Sequence, residues 1–215
     1  MGVKIIFYPP ILTFPHKGER KQNKIIMKKI ISFLFFSLLL TGLAHAQIPE
    51  TEPISIKQVM DGDTFRLSNG QKLKLAGVNA PELHDTPKLP QEARRFKKEI
   101  WAFRALGDEA ERISQRFVKA ANNKIFLETT TQSLDEQGNL LAYVHMPVSK
   151  LDPGMTADGQ VIMQEPDGSF RIFLNAYLLT LGLAELDRSS LDSSYQSLFE
   201  RLLAEAKKNK KGLWS

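Results

Sequence analysis

Residues 61–83 read DGDTFRLSNGQKLKLAGVNAPEL and place Asp61, Asp63, Asn79 and Glu82 where an extended chain turns. Carboxylate and amide oxygens accept hydrogen bonds and can serve as ligands. Lys72 and Lys74 lie between them, and an ammonium can hold a phosphate as a point charge. One acid pair at a turn is ordinary loop chemistry. The chemistry here depends on whether the four oxygen-bearing side chains converge on one point in space.

Three strands are expected to bring the turns together. ISIKQVM (54–60) alternates, and TFRL and QKLKLAGV flank Ser68-Asn69-Gly70, a strong hairpin signal because Asn and Gly both tolerate positive φ. In the third strand Leu73 and Leu75 share one face and Lys72 and Lys74 the other. Apolar spacing then predicts a helix over 91–106 (Ala93, Phe96, Ile100, Phe103) and another over 108–122 (Ala110, Ile113, Phe117). Gly107 is expected to separate them and Asp108 to cap the second. KIFLETT and NLLAYVHM read as strands four and five across an Asp135–Gly138 turn. Residues 147–166 read as a surface excursion with a small hairpin near QVIMQ. A helix over 174–181 should stop at Gly182, and a last helix over 192–211 should turn Tyr195, Leu198, Phe199, Leu202 and Ala206 inward. The expected fold is α+β, a five-stranded β-barrel with packed helices.

Composition narrows the partners. The 215-residue chain has 29 basic and 24 acidic residues, a net charge of +5. Residues 27–46, with Lys28 and Lys29, an apolar run and AHA ending at Ala46, have the order of a signal peptide, and the run is short for a membrane span. Residues 1–26 read as an upstream extension and 47–53 as a linker to a domain over 54–215. Seven basic residues and one acid lie in 1–46, so residues 47–215 carry 22 basic against 23 acidic residues. Overall basicity therefore gives no argument for nucleic acid, and any such argument must rest on a local patch. The chain has no cysteine, which excludes disulfides and attachment of a lipid through a cysteine. A secreted or periplasmic monomer with no membrane contact after cleavage is expected.

VMDGDTFRL, LAGVNAPEL, GDEA, DEQGNLLAYV, LNAYLLTLGLAEL and AEAKKNKKGLWS occur in the order found in the staphylococcal nuclease (thermonuclease-like) family, and the chain resembles that family over about 54–146 and 167–215. The resemblance implies an OB-fold barrel with a site on one mouth, where Ca2+ is held by two carboxylates and a backbone carbonyl. It further implies a Glu that activates water and two arginines that clamp the scissile phosphate of DNA or RNA. By position, Asp63 matches the first metal carboxylate, Asn79 the second, and Ala80 supplies the backbone carbonyl. Glu82 matches the general base, and Lys74 and Asn139 stand where the two arginines are expected. Asp61 is the expected support of the Asp63 loop.

Three of those positions depart from the pattern. Asn79 keeps an oxygen but removes a charge, which weakens Ca2+ binding. Lys74 keeps a charge but loses the planar fork of Arg. Asn139 keeps no charge, and losing one donor to the developing phosphate charge costs on the order of a hundredfold in rate. Arg66, Arg94 and Arg95 are candidates for a compensating cation, although Arg94, Arg95, Lys97 and Lys98 also suit a solvated helix face opposite Glu92 and Glu99. Two readings stand: a Ca2+-dependent nuclease of reduced activity, or an inactive OB-fold module that binds single-stranded nucleic acid or another ligand. Trp101 is expected at a helix–core boundary and Trp214 against the C-terminal core, while the lysines at 207–211 suit a helix C-terminus. His84 and His145 lack a second ligand at zinc spacing. Intact mass and N-terminal peptide mapping of exported protein should give Gln47 as the first residue; recovery of peptides from 27–46 would contradict the cleaved leader.

Overall fold

A computed structural model describes residues 52–153, 155 and 158–215. The expected upstream extension, signal peptide and most of the linker lie outside the described residues. Strands β1 (Ile54–Val59), β2 (Thr64–Leu67) and β3 (Lys72–Leu75) form the antiparallel meander that the Asn-Gly turn predicts. Strand β4 (Val78–Asn79) follows, and β5 (Lys124–Leu134) and β6 (Leu140–Val148) form the long hairpin across Gly138. β1 pairs with β5, and β3 pairs in parallel with β6 through Leu73–Leu140, Lys74–Leu141 and Leu75–Ala142. That last pairing closes a five-stranded barrel, the α+β OB-fold expected from the sequence. Strands β7 (Ile162–Gln164) and β8 (Phe170–Phe173) form a hairpin that extends the sheet from β6.

Alternation decides what fills the barrel. Phe65, Leu67, Leu73 and Leu75 point inward and are almost fully buried, with Ile125 and Val144 from the other strands, while Tyr143 on the opposite face of β6 packs against Phe173 and Phe199. Helix α3 (Leu174–Leu181) lies against β6 and stops at Gly182, and α4 (Ser193–Lys208) buries Leu198, Phe199, Leu202 and Ala206. Asn175 is a polar rivet in this apolar layer: its Oδ1 accepts the Val144 N–H at 2.9 Å, and its Nδ2 donates to the Ala76 carbonyl at 2.8 Å. It thereby ties α3 to β6 and to the chain leaving β3. β9 (Glu185–Leu186) then pairs with β4, setting Glu185 opposite Asn79. Gly182 and Gly212 face each other, and the Leu213 N–H donates to the Gly182 carbonyl at 2.9 Å. A Cβ on either glycine would run into the other segment's backbone, so the GLW tail docks only because both are glycine.

The helices after β4 differ from expectation. One helix over 91–106 is replaced by α1 (Leu89–Arg95) and the first part of α2 (Ile100–Ala120), and Gly107 and Asp108 lie inside α2. Lys97, at φ 54°, ends α1: its N–H bonds Arg94 O and the Lys98 N–H reaches back to Ala93 O, the Schellman arrangement. The break rotates the chain, so Ile100 is 44% and Trp101 75% exposed, which corrects the helix–core placement of Trp101. α1 has a small core of its own, in which Leu89, Ala93 and Phe103 meet Leu213, and Phe96 packs edge-on against Trp214 at 5.3 Å. Replacing Asn175 by Ala leaves a buried N–H and a buried carbonyl without partners, and should lower unfolding free energy by about 2–4 kcal/mol in urea titration. A loss below about 1 kcal/mol would show that the rivet is not needed.

Candidate functional site

The four residues between β1 and β2 form a turn closed on itself. The Met60 and Asp61 N–H groups both donate to Thr64 O, and Asp61 Oδ1 accepts the Asp63 N–H at 3.0 Å. Asp63 is 5% exposed, and its two carboxylate oxygens have separate tasks. Oδ1 accepts the Thr64 hydroxyl at 2.8 Å, and Oδ2 accepts the Ala80 N–H at 2.8 Å. The second bond brings the two turns of the opening sequence into contact, with Asp61 and Asp63 on one side and Asn79 and Ala80 on the other. Glu82 follows on the same loop, half-buried, with Oε1 accepting the His84 N–H at 3.1 Å.

Helix α2 is the seat for both turns. A Cβ on Gly107 would lie 2.8 Å from Pro81 O, and one on Gly62 would lie 2.5 Å from Ala110 Cβ and 2.9 Å from Ala80 Cβ. Ser114 donates its hydroxyl to Gly62 O at 2.8 Å. Gly107, Ala110 and Ser114 are spaced three and four apart, so they form one small-residue stripe on one helix face. The GDEA motif therefore belongs to the middle of a helix, where small size allows close approach. This corrects the expected helix start at Asp108.

Charges around the site are unevenly matched. Burial, and then the charge of Asp63, push the Asp61 carboxyl up to about 7. Lys74 donates to Asn79 Oδ1 at 3.1 Å. Asn139 is held by Asp135: the Asn139 Nδ2 donates to Asp135 Oδ2, and its backbone N–H donates to Oδ1, both at 2.8 Å. Burial opposes ionisation of Asp135, but the Asn139 hydrogen bonds and the nearby Lys74 charge outweigh it and hold that carboxyl below its ordinary value. Burial also opposes ionisation of Asp187, but hydrogen bonds from Ser189 and Ser190, and last the Lys74 charge, hold that carboxyl below its ordinary value. Asp135 and Asp187 are thus acidic neighbours of Lys74 that sequence spacing does not reveal.

The inserted α1 brings Arg95 beside the second turn. Its guanidinium ion-pairs with Glu185, and Asn79, Ala80, Pro81, Glu92, Arg95 and Glu185 gather over Phe96, Phe103 and Leu213 around a gap too small for a water molecule. Glu185 stands in the LNAYLLTLGLAEL segment, but its place beside Asn79 comes only from the β4–β9 pairing. Arg66 is directed to the other end of its hairpin, where Nη1 reaches Gly70 O at 3.4 Å. Arg94 donates to Pro90 O on the outer face of α1. His145 is buried in β6, with Nε2 at 3.4 Å from Glu128 and its ring stacked on Phe173. Among the described residues no group of three or more His, Cys, Asp or Glu side chains is placed to hold a metal ion.

The oxygen-rich turns on a closed five-stranded barrel define the class. The family model for staphylococcal nuclease homologues matches residues 72–215, and the chain belongs to that family. No curated protein matches it. Membership supports a nuclease or nucleic-acid-binding function.

The raised Asp61 pKa has a consequence for stability. A carboxyl that resists ionisation in the fold contributes fully below its unfolded pKa near 3.8, and that contribution is lost as pH rises toward about 7. In chelator, the stabilisation gained by Asp61→Asn should therefore grow from pH 4 to pH 7 and then level off in thermal melts. A difference independent of pH would contradict the burial of this charge.

Proposed function

We propose that this chain is an exported, Ca2+-dependent phosphodiesterase acting on DNA or RNA, with activity reduced by its departures at 74, 79 and 139. The observation that carries the reading is the Asp63–Ala80 hydrogen bond, which brings an ionisable acid loop to the loop that bears Glu82. The carboxylate of Asp63, the amide oxygen of Asn79 and the Ala80 carbonyl are oxygen donors that fit a hard cation, with Asp61 in support. Burial is the first cause of the raised Asp61 pKa and the Asp63 charge the second, and a cation would relieve the second. Opposing this, Lys74 already occupies the Asn79 oxygen, and Asn79 adds no charge. Binding in the millimolar range follows, tightened by Asn79→Asp.

When bound, Ca2+ supplies positive charge beside the phosphate and its developing oxyanion. The chain's own residues do the rest. Glu82, half-buried on the loop that follows Ala80, takes a proton from the attacking water. Lys74 leaves Asn79 and places its ammonium on a phosphate oxygen. Arg95 lies next to the same loop and can supply the second cation if it exchanges Glu185 for phosphate, which replaces one anion by another at the guanidinium fork.

Digestion of single-stranded DNA by the chain in millimolar Ca2+ should be abolished by chelator and lowered at least about a hundredfold by Glu82→Gln. Glu185→Gln, which releases Arg95, should raise the rate, and Arg95→Ala should lower it. The binding-module reading has its own support in the Asp135–Asn139 pair, which sets an acid where a phosphate arginine is expected. A folded Lys74→Arg, Asn79→Asp, Asn139→Arg triple variant that binds single strands but leaves them uncut would favour that reading.

A further inference from the structure

The corner between α1 and α2 combines two features that the site does not use. Trp101 is 75% exposed on the first turn of α2, beside Ile100 at 44%. An indole in water at the start of a helix has no packing role, and Trp101 makes no ring contact with another described aromatic residue. The second feature is charge. Residues 88–104 hold six basic residues against Glu92 and Glu99, a net charge of +4. The remainder of 47–215 holds 16 basic and 21 acidic residues, so the corner is a positive island on an otherwise acidic chain.

Some of those cations are already matched: Arg95 by Glu185, Arg104 by Asp85, and Lys98 by the oxygens of Ser215. The Lys97 ammonium is exposed and has no partner among the described residues. It stands there because Lys97 occupies the left-handed position that ends α1, which projects it from the corner. Arg94 keeps its terminal nitrogens for solvent, since only Nε is bonded, to Pro90 O.

Position links the corner to the site. Gly107 of α2 touches the Pro81–Leu83 backbone, and Trp101 lies six residues earlier on that helix, about 9 Å along its axis. At a stacked rise of roughly 3.4 Å per nucleotide, that span is about three nucleotides. The Arg104–Asp85 ion pair joins the same stretch of α2 to the loop just past Glu82.

We propose that this corner is an accessory contact for a single-stranded nucleic acid, with Trp101 stacking on an unpaired base and Lys97 and Arg94 taking flanking phosphates. The inference rests on the nucleic-acid reading of the site and adds how the strand is held away from the reacting phosphate. Aromatic stacking with loose cations tolerates any base, so the occupant is defined by being unpaired rather than by its sequence. A duplex would keep its bases from the indole.

The test is binding of a fluorescein-labelled 12-residue oligothymidylate by fluorescence anisotropy, with chelator present so that no strand is cut. Wild type should bind with an affinity that falls with salt, and Trp101→Ala should weaken binding about tenfold, with Trp101→Phe restoring most of it. Lys97→Gln should lower the slope of log affinity against log salt by about 0.7. Both residues are exposed, and a thermal melt checks that the variants stay folded. A duplex of the same length should be insensitive to Trp101→Ala. Equal binding of the oligothymidylate by wild type and Trp101→Ala would overturn the corner while leaving the nucleic-acid reading intact. Absence of binding by the wild type would overturn both. If Trp101→Ala impairs only binding to vesicles of anionic phospholipid, the corner is a membrane contact and the proposal fails.

Discussion

Two loops of different origin are held together by one buried carboxylate on one helix face. Asp63 Oδ2 takes the Ala80 N–H, and the Gly107–Ala110–Ser114 stripe of α2 receives Gly62 on one side and the Pro81–Leu83 backbone on the other. None of these contacts leaves room for an added methyl group without movement, because protein interiors are close-packed. The barrel fixes where the strands end, but the helix fixes how far apart the two turns sit. Glu82, Asn79 and Lys74 inherit their positions from that spacing.

The same arrangement explains why the electrostatics of the site are strained in one place and neutralised in another. Seating the Asp61–Asp63 turn on the small-residue face of α2 removes water from both acids, and Asp61 resists ionisation as a result. Elsewhere the polar groups are already partnered: Lys74 with the Asn79 oxygen, Arg95 with Glu185, and the Asn139 amide with Asp135. A phosphate entering this site must displace partners that the protein supplies, which lowers the net gain from each contact. For the phosphodiesterase proposed above, cations committed in this way predict a reduced rate.

Much of the barrel is legible in the sequence because its signals are local. The Asn-Gly hairpin, the Gly138 turn and the alternation of Leu73 and Leu75 each specify geometry within a few residues. Helix ends were legible only where glycine marks them. α3 stops at Gly182, but α1, α2 and α4 use Lys97, Asn122 and Lys210 in the same left-handed position, at φ 54°, 53° and 50°. Because Lys97 carries no such signal, the spacing of Phe96, Ile100 and Phe103 reads as one continuous helix, and Trp101 is misplaced into a core boundary. Glu185 and Asp135 stand in the LNAYLLTLGLAEL and DEQGNLLAYV segments, but their partners are not legible there, for a different reason. Their roles come from the β4–β9 pairing and from a turn folding back on Asn139, contacts that no spacing encodes.

The seat on α2 is tested most directly by amide hydrogen exchange of Gly107→Ala against wild type, followed by mass spectrometry under native conditions. The added methyl group meets a backbone oxygen that cannot rotate away, so the loop must move. Faster exchange should appear in residues 80–86 and, through the Asp63–Ala80 bond, in residues 61–64, with β6 unchanged. Exchange that is the same as wild type in both turns, or faster evenly through the barrel, would contradict the claim that this helix face sets the site.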